Sequence, residues 1–196
     1  MKWIGERISF LEDKQKSTFV IYPAAKTIVK ALMGSWLAMW LMIGISVLLY
    51  VNQQNYKLSD KENLNDQLNI IVFVFLVFWA YYAVKVARSF AWLLWGKEFI
   101  KVNEASLTYK RSIKSYGKAT PYYLENIKKI RIYQPKENSL HAVWDASPWV
   151  KGGERLEFDY LGKTIRFGRK LNEKDGKLFF NLLTKKVEER LRKVKN

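Results

Sequence analysis

Paired carboxylates are the first residues in this sequence that could do chemistry. Glu154, Glu157 and Asp159 lie in one β-prone segment, and the two-residue period of a strand puts Glu157 and Asp159 on the same face. Two neighbouring carboxylates can divide the acid and base roles of a reaction between them. The nearby Arg155 and Arg166 favour a different interpretation, in which the acids balance charge on a solvated sheet face. We therefore predict no catalytic site at these residues.

The residues that other chemistries require are missing or isolated. The chain has no cysteine, which excludes disulfides, thiol nucleophiles and cysteine-ligated metal centres, and its single histidine is His141. Gly152-Gly153 is an isolated pair, and the sequence contains no glycine-rich phosphate-binding motif. We therefore expect a protein that is not an enzyme and that binds no cofactor and no metal.

Basic residues form two groups that could bind an anionic partner. The members are Lys110, Arg111, Lys114 and Lys118 around Gly117, and Lys129 and Arg131, which alternate on one face of a later strand. A basic side chain held near an anionic leaflet gains about 1 kcal/mol. Three interpretations stay open: non-specific attraction to a membrane surface, a solvated protein face, and a true lipid-headgroup site.

The segment 141–153, with the sequence HAVWDASPWVKGG, is the most unusual connection in the chain. Trp144 and Trp149 flank Pro148 in it. Exposed tryptophans in a loop are typical of a contact surface, because the ring buries a large apolar area while its N–H keeps a polar partner. The alternative is that one or both rings fold onto the domain. We predict that Trp144 or Trp149 contacts lipid or a partner protein.

Two apolar segments are long enough to cross a membrane. Residues 31–51 carry no charge, and as a helix they would measure roughly 32 Å, close to the hydrocarbon thickness of a bilayer. Residues 70–84 are also uncharged, and the apolar character continues to residue 95. We predict a two-helix hairpin with spans at about 29–51 and 69–94. The membrane anchors predicted near the end of the second span are Lys85, Arg88, Trp92 and Trp95.

Lysines and arginines are distributed unevenly about these spans. Residues 1–30 carry six of them, the connecting loop 52–69 carries two, and residues 96–196 carry 24 against 12 acidic residues. The positive-inside rule therefore places both termini in the cytoplasm and the short loop outside. The net charge of +12 in residues 96–196 is already explained by a position beside membrane lipids, so we expect no nucleic-acid partner.

The regions outside the spans have the patterns of an antiparallel β domain. Segments 7–11 and 18–22 predict an N-terminal hairpin, for which the alternative is an interfacial or disordered leader. Further strands are predicted at 98–102, 106–112, 120–124, 127–133, 155–160 and 163–167, the pattern of an antiparallel barrel or sandwich. We expect the hairpin in residues 1–25 to pack on the domain formed by residues 96–196, with the membrane hairpin occupying 26–95, because the later strands leave a sheet edge to cover.

A C-terminal helix is predicted to close this domain. Asn172 suits the N-cap position, and Asp175 follows it by three residues as a shortened capping box. Apolar residues then recur every four positions at Phe179, Leu183, Val187 and Leu191. One apolar stripe on a helix that follows antiparallel strands is typical of a helix covering the open end of a small barrel.

The order of these elements resembles that of small bacterial membrane proteins with a pleckstrin-homology-like (PH-like) domain beside two transmembrane helices. The resemblance rests on four motifs: Gly96-Lys97-Glu98, Ser106-Leu107-Thr108-Tyr109, the run from Tyr122 to Ile127, and Gly162-Lys163-Thr164-Ile165-Arg166-Phe167-Gly168-Arg169 with Leu171 after it. Eukaryotic pleckstrin-homology domains usually carry a tryptophan in the closing helix, whereas residues 172–196 have none. Phe179 or Phe180 would have to take its place.

The resemblance implies a fold, a multi-pass setting in a bacterial inner membrane and a binding or scaffold role, and it implies no reaction. We therefore expect a scaffold or accessory subunit whose PH-like domain binds a partner at the cytoplasmic membrane face. Membrane lipids and another membrane protein or larger complex are the expected partners. The alternative function is that of an anionic-lipid-sensing module, which would use the basic residues of the domain.

Overall fold

The computed structural model describes residues 2–23, 26–55, 62–134, 143, 147, 149 and 152–195. The first half of the chain contains β1 (Lys2–Ile4), β2 (Ile8–Glu12), β3 (Ser17–Ile21), α1 (Thr27–Asn55) and α2 (Glu62–Trp95). The second half contains β4 (Gly96–Val102), β5 (Ser106–Ile113), β6 (Ala119–Tyr123), a 3-10 turn (Leu124–Asn126), β7 (Ile127–Ile132), β8 (Glu154–Tyr160), β9 (Lys163–Arg169) and α3 (Glu173–Lys195).

These elements divide into two compact units. Lys26–Phe90 forms a helical unit, and Met1–Ala25 together with Ala91–Asn196 forms the second unit, which we call the β domain. The β domain is therefore discontinuous in sequence. Its second segment starts at Ala91 rather than at the expected residue 96, because the last turn of α2 packs with the strands.

The helical unit consists of two helices that are long and apolar enough, by length and composition, to cross a membrane. Two tryptophans hold α1 and α2 together: the indole N–H of Trp40 donates to the carbonyl of Trp79 at 3.1 Å, and the indole N–H of Trp79 donates to the carbonyl of Trp40 at 2.7 Å. Gly44 makes this contact possible, because a Cβ built at Gly44 would lie 2.0 Å from the Trp79 ring.

Two antiparallel sheets form the β domain. The six strands β1 to β6 follow one another in chain order in the first sheet, and β7, β8 and β9 form the second. The N-terminal hairpin joins the first sheet through β3, which pairs with β4 so that Phe19 lies opposite Ile100. Two long apolar helices, antiparallel sheets and a C-terminal helix make this architecture compatible with a helical hairpin plus a β-sandwich.

The two sheets and α3 enclose one hydrophobic core. Asn172 is the N-cap of α3, as predicted, since its Oδ1 accepts a hydrogen bond from the N–H of Asp175 at 2.6 Å. The apolar stripe of α3 faces inward, with Phe179, Leu183 and Val187 buried. The Phe179 ring lies edge-on to Phe19 at 5.2 Å between centroids. Phe179 thus fills the inward position in a closing helix that has no tryptophan.

Charged side chains fasten the N-terminal segment to the rest of the β domain. The Nζ of Lys186 lies 2.6 Å from Oε1 of Glu12, and Arg190 donates to the carbonyl of Lys14 at 3.2 Å. The buried Arg7 donates to the carbonyls of Tyr22 and Lys170. The two segments of the β domain are therefore held together by side chains as well as by the β3–β4 pairing.

The structure differs from the predicted strands in two places. β1 was not expected, because three residues are too few to show an alternating pattern. In β7 the pairing register shifts between Lys128 and Arg131, and Lys129 has a φ of 50°. Such a bulge interrupts the two-residue alternation. Lys128 and Lys129 are consequently both exposed, while Lys129 and Arg131 keep to the exposed side with the partly buried Ile130 between them.

Two glycines of the helical hairpin, Gly44 and Gly34, give a test variant and its control. Gly44→Ala should lower the melting temperature of the helical unit, since the added Cβ overlaps Trp79 and overpacking costs about 1 to 3 kcal/mol. Gly34→Ala is the control, because its Cβ would lie 3.3 Å from the Phe90 ring, where a small side-chain adjustment suffices. Thermal unfolding in mild detergent, followed by far-UV circular dichroism, measures both. Equal melting temperatures for the two variants would contradict the Trp40–Trp79 packing.

Candidate functional site

The junction between α2 and β4 is the first feature of the candidate site. α2 ends at Trp95 and β4 begins at Gly96, so no linker separates the helix from the strand. A Cβ at residue 96 would lie 2.4 Å from both the Trp92 ring and the Trp92 carbonyl oxygen. Only glycine therefore lets the strand leave the helix at this angle with the Trp92 ring beneath it.

Glu98 places a carboxyl group inside the β domain. Strand alternation turns Glu98 to the same side as Ile100 and Val102, and all three residues are almost completely buried. The N–H groups of Gly168 and Arg169 donate to Oε2 of Glu98 at 2.7 and 3.4 Å. Since Glu98 belongs to the first sheet and its donors belong to β9, this carboxyl group joins the two sheets.

Charged partners surround Glu98. Oε1 of Glu98 lies 3.4 Å from Nη2 of Arg111, and the same Nη2 lies 3.0 Å from Oε1 of Glu154. The Trp92 ring lies 5.8 Å from the Arg111 guanidinium and 5.3 Å from the Arg169 guanidinium. We call Trp92, Glu98, Arg111, Glu154 and Arg169 the buried ionic cluster.

Burial sets the electrostatics of this cluster. It raises the pKa of Glu98, and Arg111 and the two backbone N–H groups only partly oppose that shift. Burial lowers the pKa of Arg169, with Arg111 acting in the same direction. For Arg111 the effect of burial is outweighed by Tyr109, Glu98 and Glu154, so its pKa is raised.

Two acidic and two basic side chains balance one another in the buried ionic cluster. The hydroxyl of Tyr109 also accepts a hydrogen bond from Nε of Arg111 at 3.1 Å, and burial raises the pKa of this hydroxyl. Each group is engaged by a neighbour, which suits a structural role better than proton transfer to a substrate. Sequence reasoning missed Glu98 as a buried acid. The signal was its spacing of two residues from Ile100 and four from Val102, which puts it on the apolar face of the strand.

Trp92 needs a correction to the expected membrane anchors. An interfacial anchor must expose its ring to lipid headgroups, but Trp92 is only 5% exposed and contacts two guanidinium groups of the β domain. Trp95 is 46% exposed, so its ring is available to an interface. Lys85 and Arg88 are exposed on α2, and Nζ of Lys85 lies 4.6 Å from the Tyr81 ring.

The basic residues predicted to bind headgroups belong to two different sheets. Lys110, Lys114 and Lys118 lie around the turn between β5 and β6, whereas Lys129 and Arg131 belong to β7 in the other sheet. Arg111 points into the buried ionic cluster. Its guanidinium forms ion pairs with Glu98 and Glu154. Arg111 is therefore not available to bind lipid headgroups as the sequence predicted.

Arg131 is engaged as well, by the two carboxylates that first suggested chemistry. Its Nε lies 2.6 Å from Oε1 of Glu157, and its Nη1 lies 3.1 Å from Oδ2 of Asp159. Arg166 and Thr164 complete the network, and the Thr164 hydrogen bond, together with Arg131, lowers the pKa of Asp159. These acids balance charge on the sheet face.

The tryptophan loop is described only in part. Trp149 is partly buried, and its backbone N–H lies 3.3 Å from Oγ of Ser147. Trp144 and His141 lie outside the described residues. Within the described part of the chain, no group of three or more acidic, histidine or cysteine side chains could hold a metal ion.

The role of Glu98 can be tested by its removal. Glu98→Leu should lower the free energy of unfolding of the β domain by about 3 kcal/mol, because it leaves two buried N–H groups without an acceptor and takes one carboxylate from Arg111. Denaturant unfolding of the full chain in mild detergent, followed by tryptophan fluorescence, measures this loss.

Two variants control for the side-chain change itself. Glu98→Gln keeps an acceptor for the N–H groups and should lose less stability than Glu98→Leu. Glu104→Gln alters an exposed acid in the β4–β5 turn and should stay within about 0.5 kcal/mol of the parent chain. If Glu98→Leu were as stable as Glu104→Gln, the carboxyl group would not be holding the sheets together.

Comparison of the chain with protein-family models, with curated proteins and with solved structures finds no match. The PH-like resemblance therefore stays an expectation.

Proposed function

We propose that this chain is an integral membrane protein of the bacterial inner membrane, in which α1 and α2 are the two spans. One observation carries the proposal. The apolar stretches Thr27–Gln53 and Gln67–Trp95 are 27 and 29 residues long, yet only 11% of the most apolar window of each is buried. A core helix of a soluble protein would be mostly buried. Lipid is the environment that covers such surfaces without a large cost in free energy.

The proposed orientation has both termini and the β domain in the cytoplasm. It is supported by the excess of basic residues in segments 1–30 and 96–196 over the connecting loop. Because β1 to β3 precede α1 and β4 follows α2, both ends of the hairpin must return to the same side to complete one sheet. The β3–β4 pairing therefore requires an even number of crossings.

We propose a binding role without catalysis for the β domain, as a scaffold or accessory subunit that engages a partner protein at the cytoplasmic face. The acids that the sequence offers for acid–base chemistry support this proposal, since Glu157 and Asp159 are engaged by Arg131 and Glu98 by Arg111. Two antiparallel sheets closed by a C-terminal helix also suit the binding domain that the PH-like resemblance implies.

A second candidate is an anionic-lipid-sensing module. The observation that favours it is the exposed turn between β5 and β6, where Lys114 and Lys118 face solvent. Arg111 is no longer part of the candidate surface, so any headgroup preference would depend on lysines. Lysine is a point charge that lacks the planar fork with which arginine binds a phosphate through two hydrogen bonds.

The topology can be tested with single cysteines, because the chain has none of its own. A membrane-impermeant maleimide should label Asn52→Cys in intact spheroplasts, and it should label Lys174→Cys only after lysis. Both positions are exposed in the structure. Labelling of both cysteines before lysis, or of neither after lysis, would contradict two spans with cytoplasmic termini.

The partner-binding role can be tested at Trp149. Trp149→Ala should weaken association with a co-purifying partner by about 1 to 3 kcal/mol, the usual size for an aromatic hot spot. Association is measured by titrating the tagged full chain in mild detergent with the purified partner. Trp3→Ala removes a ring that is 59% exposed on β1 and serves as the matched control.

Thermal melting separates binding from folding in this experiment. A large drop in the melting temperature of Trp149→Ala, with unchanged association of the protein that remains folded, would make Trp149 a core residue. Equal losses of association for Trp149→Ala and Trp3→Ala would remove the special role of the loop.

A further inference from the structure

The turn between β5 and β6 is attached to the last residue of α2. The backbone N–H of Lys114 donates to the carbonyl of Trp95 at 3.1 Å. The Nζ of the same lysine lies 4.6 Å from the centroid of the Trp95 ring. Both Lys114 and Trp95 are exposed. A basic residue predicted to meet headgroups and an aromatic residue predicted to meet the interface are thus in direct contact.

This turn has a defined conformation. Ile113 and Tyr116 exchange backbone hydrogen bonds of 2.9 and 3.1 Å, and Lys110 donates to the carbonyl of Ser115 at 3.2 Å. Lys114 has a φ of 54°, in the left-handed region that non-glycine residues seldom adopt, and the Ser112 hydroxyl donates to its carbonyl at 2.9 Å. The side chains of the turn are therefore presented on a fixed backbone.

Tyr116 is an exposed aromatic residue in the turn. Its exposed fraction is 83%, and the Trp95 ring beside the turn is 46% exposed. Tyrosine and tryptophan are enriched at membrane–water interfaces, because each has an apolar ring and one polar group. Tyr116 follows Lys114 by two residues and the Trp95 ring contacts Lys114, so the turn and the end of α2 present an amphipathic surface.

The charge of this surface is uncompensated within the described part of the chain. Lys110, Lys114 and Lys118 form no ion pair with any described residue, whereas the nearby Arg111 is neutralised inside the domain by Glu98 and Glu154. Three lysines and two exposed rings match a layer that is anionic at its surface and apolar beneath.

We propose that the turn formed by residues 110–118, together with Trp95, is a docking surface for the anionic phospholipid headgroups of the bilayer that holds α1 and α2. The inference rests on the membrane insertion proposed above, but not on the choice between a scaffold and a lipid sensor. A free acidic protein or a nucleic acid fits less well, because Trp95 ends the second span and the headgroup layer is the anionic surface nearest to it.

The opposite end of the same strands provides the internal control. β5 runs from Ser106 to Ile113, so the β4–β5 turn at Glu104 lies on the order of 20 Å from Tyr116 along the strand. If the turn at Tyr116 contacts headgroups, the turn at Glu104 is held away from them. Glu104 is exposed and Tyr116 is almost fully exposed, so cysteine can replace either residue without disturbing the core.

The experiment measures the depth of these two positions in the full chain. Tyr116→Cys and Glu104→Cys are labelled with an environment-sensitive fluorophore and reconstituted into vesicles whose acyl chains carry a quenching nitroxide near the headgroup. One set of vesicles contains phosphatidylcholine alone, and the other contains phosphatidylcholine with phosphatidylglycerol. Flotation after carbonate extraction reports membrane insertion independently of the fluorophore.

We expect strong quenching at residue 116 and little at residue 104, with more quenching at 116 in the anionic vesicles. Lys110→Gln combined with Lys118→Gln should reduce quenching at 116, because each lysine near an anionic surface changes the docking equilibrium about fivefold. Lys163→Gln combined with Lys174→Gln removes two exposed lysines from other parts of the β domain and should leave quenching unchanged.

The outcomes separate the two proposals. Loss of the parent chain from the vesicles after carbonate extraction would overturn membrane insertion. Stable insertion with equal quenching at 116 and 104 would overturn the docking surface alone. Equal quenching at 116 in neutral and anionic vesicles, or an unchanged signal in the Lys110/Lys118 variant, would overturn its assignment to anionic headgroups.

Discussion

The Glu98 carboxyl group is the contact on which the β domain depends. A buried acid is costly unless charges and hydrogen-bond donors surround it. Glu98 receives the charge from Arg111, its partner on the neighbouring strand β5, and the donors from β9, which is distant in sequence. Its Oε2 accepts the N–H groups of Gly168 and Arg169, and its Oε1 faces Arg111. Those partners can be in place only when β4, β5 and β9 are already assembled. The need to satisfy the buried Glu98 carboxyl group therefore determines how β4 and β5 of the first sheet pack against β9 of the second.

This arrangement attaches the last turn of α2, residues 91–95, to the strands of the β domain. Gly96 lets β4 start where α2 ends, the Trp92 ring lies against two guanidinium groups, and Lys114 binds the Trp95 carbonyl. No flexible linker allows the last turn of α2 to rotate away from the strands. If α2 spans a bilayer, the turn at Lys114 is held at the membrane surface. The proposed binding role at that surface rests on this connection and on the exposed rings and lysines of the turn.

Local patterns were enough to predict much of this fold. Alternating residues identified the strands β2 to β9 within a few positions, and Asn172 identified the start of α3, because the signals for these elements lie within a few residues of one another. The role of Trp92 could not be predicted, since an aromatic ring near the end of an apolar helix resembles an interfacial anchor. Only the folded chain brings Arg111 and Arg169 to that ring. Arg131 likewise resembled a free cation until β8 placed two carboxylates beside it.

Hydrogen exchange measured by mass spectrometry on the full chain in lipid nanodiscs tests the central claim, a single β domain interrupted by two membrane helices. We predict that peptides from β2 and β3 exchange as slowly as peptides from β4 and β5, because all four strands belong to one sheet. Lys186, Arg190 and Arg7 also bind the N-terminal segment to the rest of the β domain. The apolar parts of α1 and α2 should show the slowest exchange of all, since lipid excludes water from their backbone. Exchange of residues 8–21 at the rate of an unfolded peptide, or of α1 and α2 at the rate of solvent-exposed helices, would contradict that claim.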